Sequence, residues 1–197
     1  MDFHKQALLL GLVESLKRQS LPADRMRVHN ALFLLQETIS VDVSFDFIYN
    51  NGPCSPEADT ELQRMKTYDA ITAQPVLGVG MVFQPGHNAG WLEHKYSLDD
   101  RERSAIDFIC DFIASTALSD GEHDPIKLDR LATILWILQR LRVQEAAAVI
   151  KRLDTLKPQV PAVAVVVAQQ EVRLVDELIQ KAGEYKDGKA RRATPAE

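Results

Sequence analysis

Cys54 and the five histidines are the residues of this 197-residue chain whose side chains are best suited to chemistry. A thiol acts as a nucleophile when a nearby base activates it, and His87 or His94 could take that role for Cys54. The spacing of these residues does not require such an approach, and a small structural thiol is the favoured interpretation. Glu93-His94 lacks the second histidine at helical spacing that a zinc site needs. We therefore predict a non-enzymatic protein without a metal or cofactor, with a cysteine-dependent enzyme as the weakest alternative.

Basic residues are the next candidates, since contacts with nucleic-acid phosphates depend on lysine and arginine. The candidate positions are Arg25, Arg27, Arg64 and Lys66. The predicted helix that carries the last two also contains four acidic residues, and the whole chain has a formal net charge of −5. Lys17-Arg18 could extend the basic surface around Arg25 and Arg27, although a solvated helix face is the favoured explanation. DNA is therefore a conceivable but disfavoured partner.

A strand, a turn and a helix are predicted over residues 43–71, where the local signals are strongest. Aliphatic or aromatic residues occupy every second position from Val43 to Tyr49, which is typical of a strand with one buried face. Gly52-Pro53 breaks this pattern. Ser55 suits the N-cap and Pro56 the first turn of the helix that follows, over 55–71.

The other elements follow from hydrophobic periodicity and from turn residues. Helices are predicted over residues 2–19, 24–39, 99–118, from Asp124-Pro125 onward, 143–156 and 161–182. Between them, strands at 76–83 and 91–96 form a β-hairpin with its tip at 84–90. The polar residues after Gly183 are predicted to be disordered. Two helices, a strand, a helix and a hairpin are close to a winged-helix layout in which residues 76–96 form the wing.

Some segments also resemble a known family. Asp24 to Gln36, followed by FDFIYNNGPCSPE from Phe45 to Glu57, resembles the opening of YwgA-like proteins. Residues 128–137 and 150–158 look like the helical half of that family, and the Gly-Pro turn is shared more remotely with Panacea (SocA-type) antitoxin domains. Cys54 stands where the family usually has an aromatic residue. The resemblance implies a role in bacterial toxin neutralisation or phage defence and no shared catalytic activity.

Aromatic residues offer candidate surfaces for a protein partner, since aromatic anchors dominate many interfaces. Trp91 is placed at the base of the hairpin tip with Phe83 opposite, where the pair either caps the core, which is the favoured interpretation, or forms an exposed anchor. His87 in the tip and Tyr49 in the strand complete the candidate interaction residues. The apolar excess between 163 and 167 could pack on the chain itself or on a second copy, so a homodimer is a further hypothesis.

These observations combine into one expectation. The fold class is α+β and mostly α, with a winged-helix-like half over 1–97, a helical half over 98–183 that shares its core, and a tail over 184–197. The function is expected to be binding of another protein, in the setting that the resemblance implies; the alternative is a winged-helix transcriptional regulator that binds DNA. Two distant cysteines favour a reducing cytoplasm, and no apolar run is long enough to predict a membrane span.

Overall fold

The computed structural model describes residues 2–39, 41–117, 125–157 and 165–193. In these ranges the chain forms eight helices and two small antiparallel sheets, which confirms the mostly helical α+β class. The helices are α1 (Phe3–Arg18), α2 (Arg25–Thr38), α3 (Pro56–Thr67), α4 (Ala89–Lys95), α5 (Asp100–Ala117), α6 (Pro125–Gln139), α7 (Ala146–Leu156) and α8 (Val165–Ala193). The strands are β1 (Ile48–Tyr49) paired with β2 (Pro53–Cys54), and β3 (Ile71–Val76) paired with β4 (Gly80–Pro85).

Both halves of the chain contribute to one cluster of buried hydrophobic residues. Helix α2 packs against α5, α6 and α8, while α1 packs against α3, α4 and α5. Leu9, Leu32 and Leu35 of the first half are fully buried, as are Leu131 and Leu135 of α6. The apolar face of α2 is therefore covered mainly by helices that come much later in the sequence.

The extended segment at 43–49 keeps the predicted burial pattern but forms little sheet. Val43 and Phe45 are buried and Phe47 and Tyr49 are half-buried, while the residues that alternate with them are exposed, as expected for alternating faces. Only Ile48 and Tyr49 pair with another strand. The side chain of Gln36 replaces the missing ladder: its Oε1 accepts the Phe45 N–H at 2.7 Å and its Nε2 donates to the Phe45 carbonyl at 3.1 Å.

The β-hairpin lies elsewhere than predicted. It joins 71–76 to 80–85 in antiparallel register, from Ile71 opposite Pro85 to Val76 opposite Gly80. The prediction placed Gly78 and Gly80 inside one strand, whereas Gly78, with a φ of 78°, lies in the turn and Gly80, with a φ of 101°, begins β4. The predicted second strand at 91–96 is mostly helix α4. The predicted hairpin tip at 84–90 is therefore the end of β4, a short connection and the first turn of α4.

The start of α3 confirms the predicted cap. Ser55 is the N-cap, and its side chain accepts the Ala58 N–H at 3.1 Å while Pro56 begins the helix. The helix ends at Thr67, four residues earlier than predicted, because Tyr68 leaves the helical conformation and Asp69 takes a positive φ of 60°. The Gly-Pro turn and this cap thus set the position of the helix.

Replacing Ser55 with alanine should lower the free energy of unfolding by about 1 kcal/mol, because the Ala58 N–H would lose its acceptor in a fully buried place. Denaturant unfolding measures this loss. Ser44→Ala is the matched control, since Ser44 is exposed and should tolerate the change. Equal unfolding free energies for the two variants would mean that the cap does not stabilise the fold.

The helical half begins with a reciprocal cap and ends beyond the predicted boundary. Asp99 accepts the Glu102 N–H at 2.7 Å, and Glu102 accepts the Asp99 N–H at 3.0 Å. The predicted N-cap Asp124 lies outside the described residues. Helix α8 continues to Ala193, so residues 184–193 are helical where the sequence predicts a disordered tail. No described helix is both long and apolar enough to cross a membrane.

Candidate interaction site

The tip of the β3–β4 hairpin exposes a continuous apolar surface. We define the hairpin tip as residues 74–81, all of which are exposed and none of which is charged. Leu77 at the turn is fully exposed, and Met81 is 50 % exposed. Val76 and Val79 complete the set of exposed aliphatic side chains. Because exposed apolar clusters are uncommon on soluble proteins and mark interaction surfaces, the hairpin tip is the leading candidate site.

The hairpin tip projects from a base that the core holds in place. Ile71 and Phe83 at the base are buried in the hydrophobic cluster. The strand β4 is also tied to the segment before α2. The Phe83 N–H donates to the Ala23 carbonyl at 2.9 Å, and Val82 forms an isolated antiparallel β-bridge with Asp24. The buried base therefore holds the hairpin tip in a fixed position relative to the core.

Pro75 indicates how a partner would contact the hairpin tip. It lies in β3 opposite Met81 and has no backbone N–H. A proline in an edge strand hinders the addition of a further strand, since one ladder donor is missing. The hairpin tip is thus better suited to inserting its side chains into an apolar groove than to extending a sheet.

Two of the predicted interaction residues are internal. Phe83 is only 7 % exposed and belongs to the core, so it follows the core-capping alternative and is not available as a surface anchor. Tyr49 is half-buried: its ring lies 5.7 Å from the Trp136 ring, and its hydroxyl lies 3.5 Å from that of Thr133. Burial raises the pKa of Tyr49. This tyrosine joins the β1–β2 turn to α6.

The other two predicted residues are exposed. His87 lies in the connection before α4. Trp91 on α4 is 43 % exposed, and its ring packs edge-to-face against Phe3 and Tyr68, with centroids 5.8 Å and 5.5 Å away. The Lys95 ammonium lies 5.6 Å from the Trp91 centroid. Trp91 therefore caps one end of the core and also remains accessible.

Most of the candidate DNA contacts are already engaged by carboxylates. The ion pairs are Arg25 with Asp59, Arg27 with Asp24, Arg64 with Glu61 and, in the extended basic surface, Arg18 with Asp107. Arg27 is also buried. Lys66 is exposed and donates to the Gln63 side chain at 3.3 Å. Phosphate binding would have to compete with these neighbours, and the hairpin tip adds no positive charge.

A serine, a histidine and an aspartate meet at the start of α3 without forming a nucleophile. His29 Nδ1 accepts the backbone N–H of Ser55 at 3.0 Å, and His29 Nε2 lies 3.0 Å from Asp59 Oδ1. Burial lowers the pKa of His29, which keeps the ring neutral with Nε2 donating to Asp59. The Ser55 hydroxyl caps the helix and does not contact the ring. The arrangement fixes α3 against α2.

Cys54 has no activating base among the described contacts. It is half-buried and pairs with Ile48 in the small β1–β2 sheet, and no described histidine hydrogen-bonds to its sulfur. Arg25 interacts with it electrostatically but is bound to Asp59 by two hydrogen bonds, at 2.8 Å and 2.5 Å. No group of three or more potential ligands in the described ranges is arranged to hold a metal ion.

The predicted residues did not include the hairpin tip. The signal was present in the sequence, because Val76-Leu-Gly-Val-Gly combines two glycines with no polar side chain.

Comparison with known proteins adds no assignment: no protein-family model matches this chain, and no curated protein matches it. The resemblance to YwgA-like and Panacea proteins therefore stays a prediction.

Proposed function

We propose that this chain is a non-enzymatic protein-interaction module that binds its partner through the hairpin tip. The observation that carries the proposal is the run of eight exposed, uncharged residues held on a buried base. Each large apolar side chain that moves from water into a groove contributes about 1.5–3 kcal/mol. Leu77 would contribute most, because Met81 and the two valines are only 39–50 % exposed before binding.

A protein partner fits the hairpin tip better than DNA does. Phosphate contacts need cations, and the hairpin tip has none. Arg25, which contacts Asp59 of α3, and Arg64, in the last turn of α3, are both paired with carboxylates, which offsets their charge. The winged-helix regulator remains the alternative, and it requires Arg64 and Lys66 to exchange their present neighbours for phosphates.

The biological setting of the proposal comes from the family resemblance. In toxin neutralisation or phage defence, the partner would be a toxin or a phage protein with an apolar groove. The chemistry of the hairpin tip sets the requirement for that partner: a concave, uncharged surface that accepts branched aliphatic side chains. A flat or strongly charged surface would leave Leu77 in water and gain little.

Replacing Leu77 with aspartate should abolish partner binding while leaving the melting temperature unchanged, because the side chain is fully exposed in the free protein. The tagged chain is isolated from its native cells as wild type and as variant, and the proteins retained are compared by mass spectrometry. Val167→Asp is the matched control, since Val167 is an exposed aliphatic residue on α8. It should keep every protein that the wild type keeps.

Two outcomes would contradict the proposal. Unchanged retention by the Leu77→Asp variant would exclude the hairpin tip as the contact surface. Duplex DNA tested beside the protein partner should bind no tighter than about micromolar at physiological salt. Nanomolar, sequence-specific DNA binding that is lost on changing Arg64 and Lys66 to alanine would favour the regulator instead.

A further inference from the structure

A cavity of about 190 Å³ lies between α1, α5 and the connection from α4 to α5. Its floor is apolar and includes Leu10, Leu98 and Ile106. Gly11 brings α1 close to these side chains, because a Cβ at this position would lie 2.9 Å from Ile106 Cδ1 and 3.0 Å from Leu98 Cδ1. The space is distant in sequence from the hairpin tip and has room for a small organic group.

The positive groups at the rim of this cavity are already held by protein atoms. Arg18 pairs with Asp107 at 2.6 Å. Arg103 donates to the Leu98 carbonyl at 2.9 Å and to the Ser97 hydroxyl at 2.7 Å. An anionic ligand would therefore have to displace existing contacts of both guanidinium groups.

The negative groups are in the opposite situation. Glu14 on α1 and Glu93 on α4 both line the cavity, and neither carboxylate has a hydrogen bond or ion pair with a described residue. Glu14 is half-buried. Its pKa is raised, first by burial and then by the charge of Glu93, while Arg18, Arg103 and Lys17 lower it by less. Two carboxylates thus line one cavity, Glu14 half-buried and Glu93 exposed, and the guanidinium groups of Arg18 and Arg103 beside them are held by other protein atoms.

We propose that this cavity binds a small primary alkylamine, with its ammonium group between Glu14 and Glu93 and its alkyl chain on the floor formed by Leu10, Leu98 and Ile106. The ammonium donates hydrogen bonds to the half-buried Glu14, which receives none from a described residue, and to the more exposed Glu93. The alkyl chain fills apolar space that water occupies poorly. This site is independent of the hairpin tip, and the ligand would be a metabolite-sized cation of this class.

The probe is 1-pentylamine, titrated into the isotope-labelled full chain at neutral pH and followed by NMR shifts of the Gly11, Ser97 and Leu98 amides. A ligand with six non-hydrogen atoms should bind in the millimolar range. The neutral analogue 1-pentanol has the same chain length and should bind at least about tenfold more weakly, because it carries no charge. Equal affinity for the two compounds would overturn the proposal, as would the absence of shifts at the three amides.

Variants assign the interaction to the two carboxylates. Glu14→Gln should weaken pentylamine binding at least about tenfold, and Glu93→Gln should weaken it by a smaller factor because Glu93 is more exposed. Glu145→Gln, a change at an exposed carboxylate on α7's N-cap, should leave it unchanged. Unaltered affinity in the Glu14 variant would exclude the site.

The pH dependence provides a test on the unmodified protein. Glu14 attracts an ammonium only when it is ionised, so affinity should fall as the pH drops through its raised pKa, while pentylamine stays protonated throughout. Affinity that is constant from pH 7 to pH 4 would contradict the assignment even if the Glu14 variant does not fold.

Discussion

Replacing Arg130 with methionine should lower the free energy of unfolding by about 3–5 kcal/mol, the usual cost of leaving a buried charge without its partner. Arg130 on α6 binds Glu171 on α8 through two nitrogens: Nε lies 2.9 Å from both carboxylate oxygens, and Nη2 lies 2.5 Å from Oε1. The side chain of Glu171 is only 2 % exposed. Without the guanidinium, this carboxylate would stay buried with no described counter-ion.

Denaturant unfolding of two further variants tests the cause of this loss. Arg130→Met combined with Glu171→Leu removes both charges and should recover most of the stability, since a buried ion pair can often be exchanged for apolar residues. Arg18→Met breaks the exposed pair with Asp107 and should cost only about 0–1 kcal/mol. If the double variant is as unstable as the single one, lost packing and not the unpaired carboxylate is responsible.

Changing Gly52 to alanine should destabilise the fold by about 3 kcal/mol or more, through backbone strain and the loss of a buried ion pair. Gly52 has a φ of 144°, which L-residues rarely adopt, and an added Cβ would lie 2.5 Å from Asp129 Oδ1. Asp129 cannot move freely because it pairs with the buried ammonium of Lys157, which also donates to the Asn51 carbonyl. One methyl group would therefore disturb the whole contact between the Gly-Pro turn and the helical half.

Other glycines separate the two contributions in the same unfolding measurement. Gly78→Ala adds a Cβ in open space at a φ of 78°, so it should show the backbone cost alone, about 1 kcal/mol. Gly90→Ala places alanine in helix α4 with no neighbour within 4 Å and should stabilise the protein slightly. A Gly52 variant no less stable than the Gly78 variant would mean that Asp129 moves aside without cost.

Local signals predicted the fold best where a capping residue marks the beginning of a helix. Asp24 and Ser55 each cap a helix with a side-chain oxygen, and both helices begin where the sequence predicts. The hairpin was misplaced because Gly78 and Gly80 alternate as strand residues would, although Gly78 lies in the turn and the positive φ of Gly80 begins the return strand. Helix α4 was missed because it is only seven residues long and buries a single large side chain, Leu92.

Candidate sites were harder to predict because they depend on contacts between distant segments. Lys157 and Asn51 are 106 residues apart, and Arg130 and Glu171 are 41 apart, so no local pattern reveals either pair. The same holds for Glu14 and Glu93, which belong to different helices and meet only at the cavity. The sequence left open whether Phe83 lies in the core or on the surface, because the strand register decides which face of β4 is buried.

The cover that α6 provides for α2 has a consequence during synthesis on the ribosome. Phe33 of α2 lies 5.6 Å from Trp136 of α6, yet about 100 residues separate them. At about 5–20 residues per second, the nascent chain carries the uncovered leucines of α2 for about 5–20 s before α6 has been made. The first half cannot complete its core during that interval, and it offers chaperones a binding site that disappears once translation reaches the later helices.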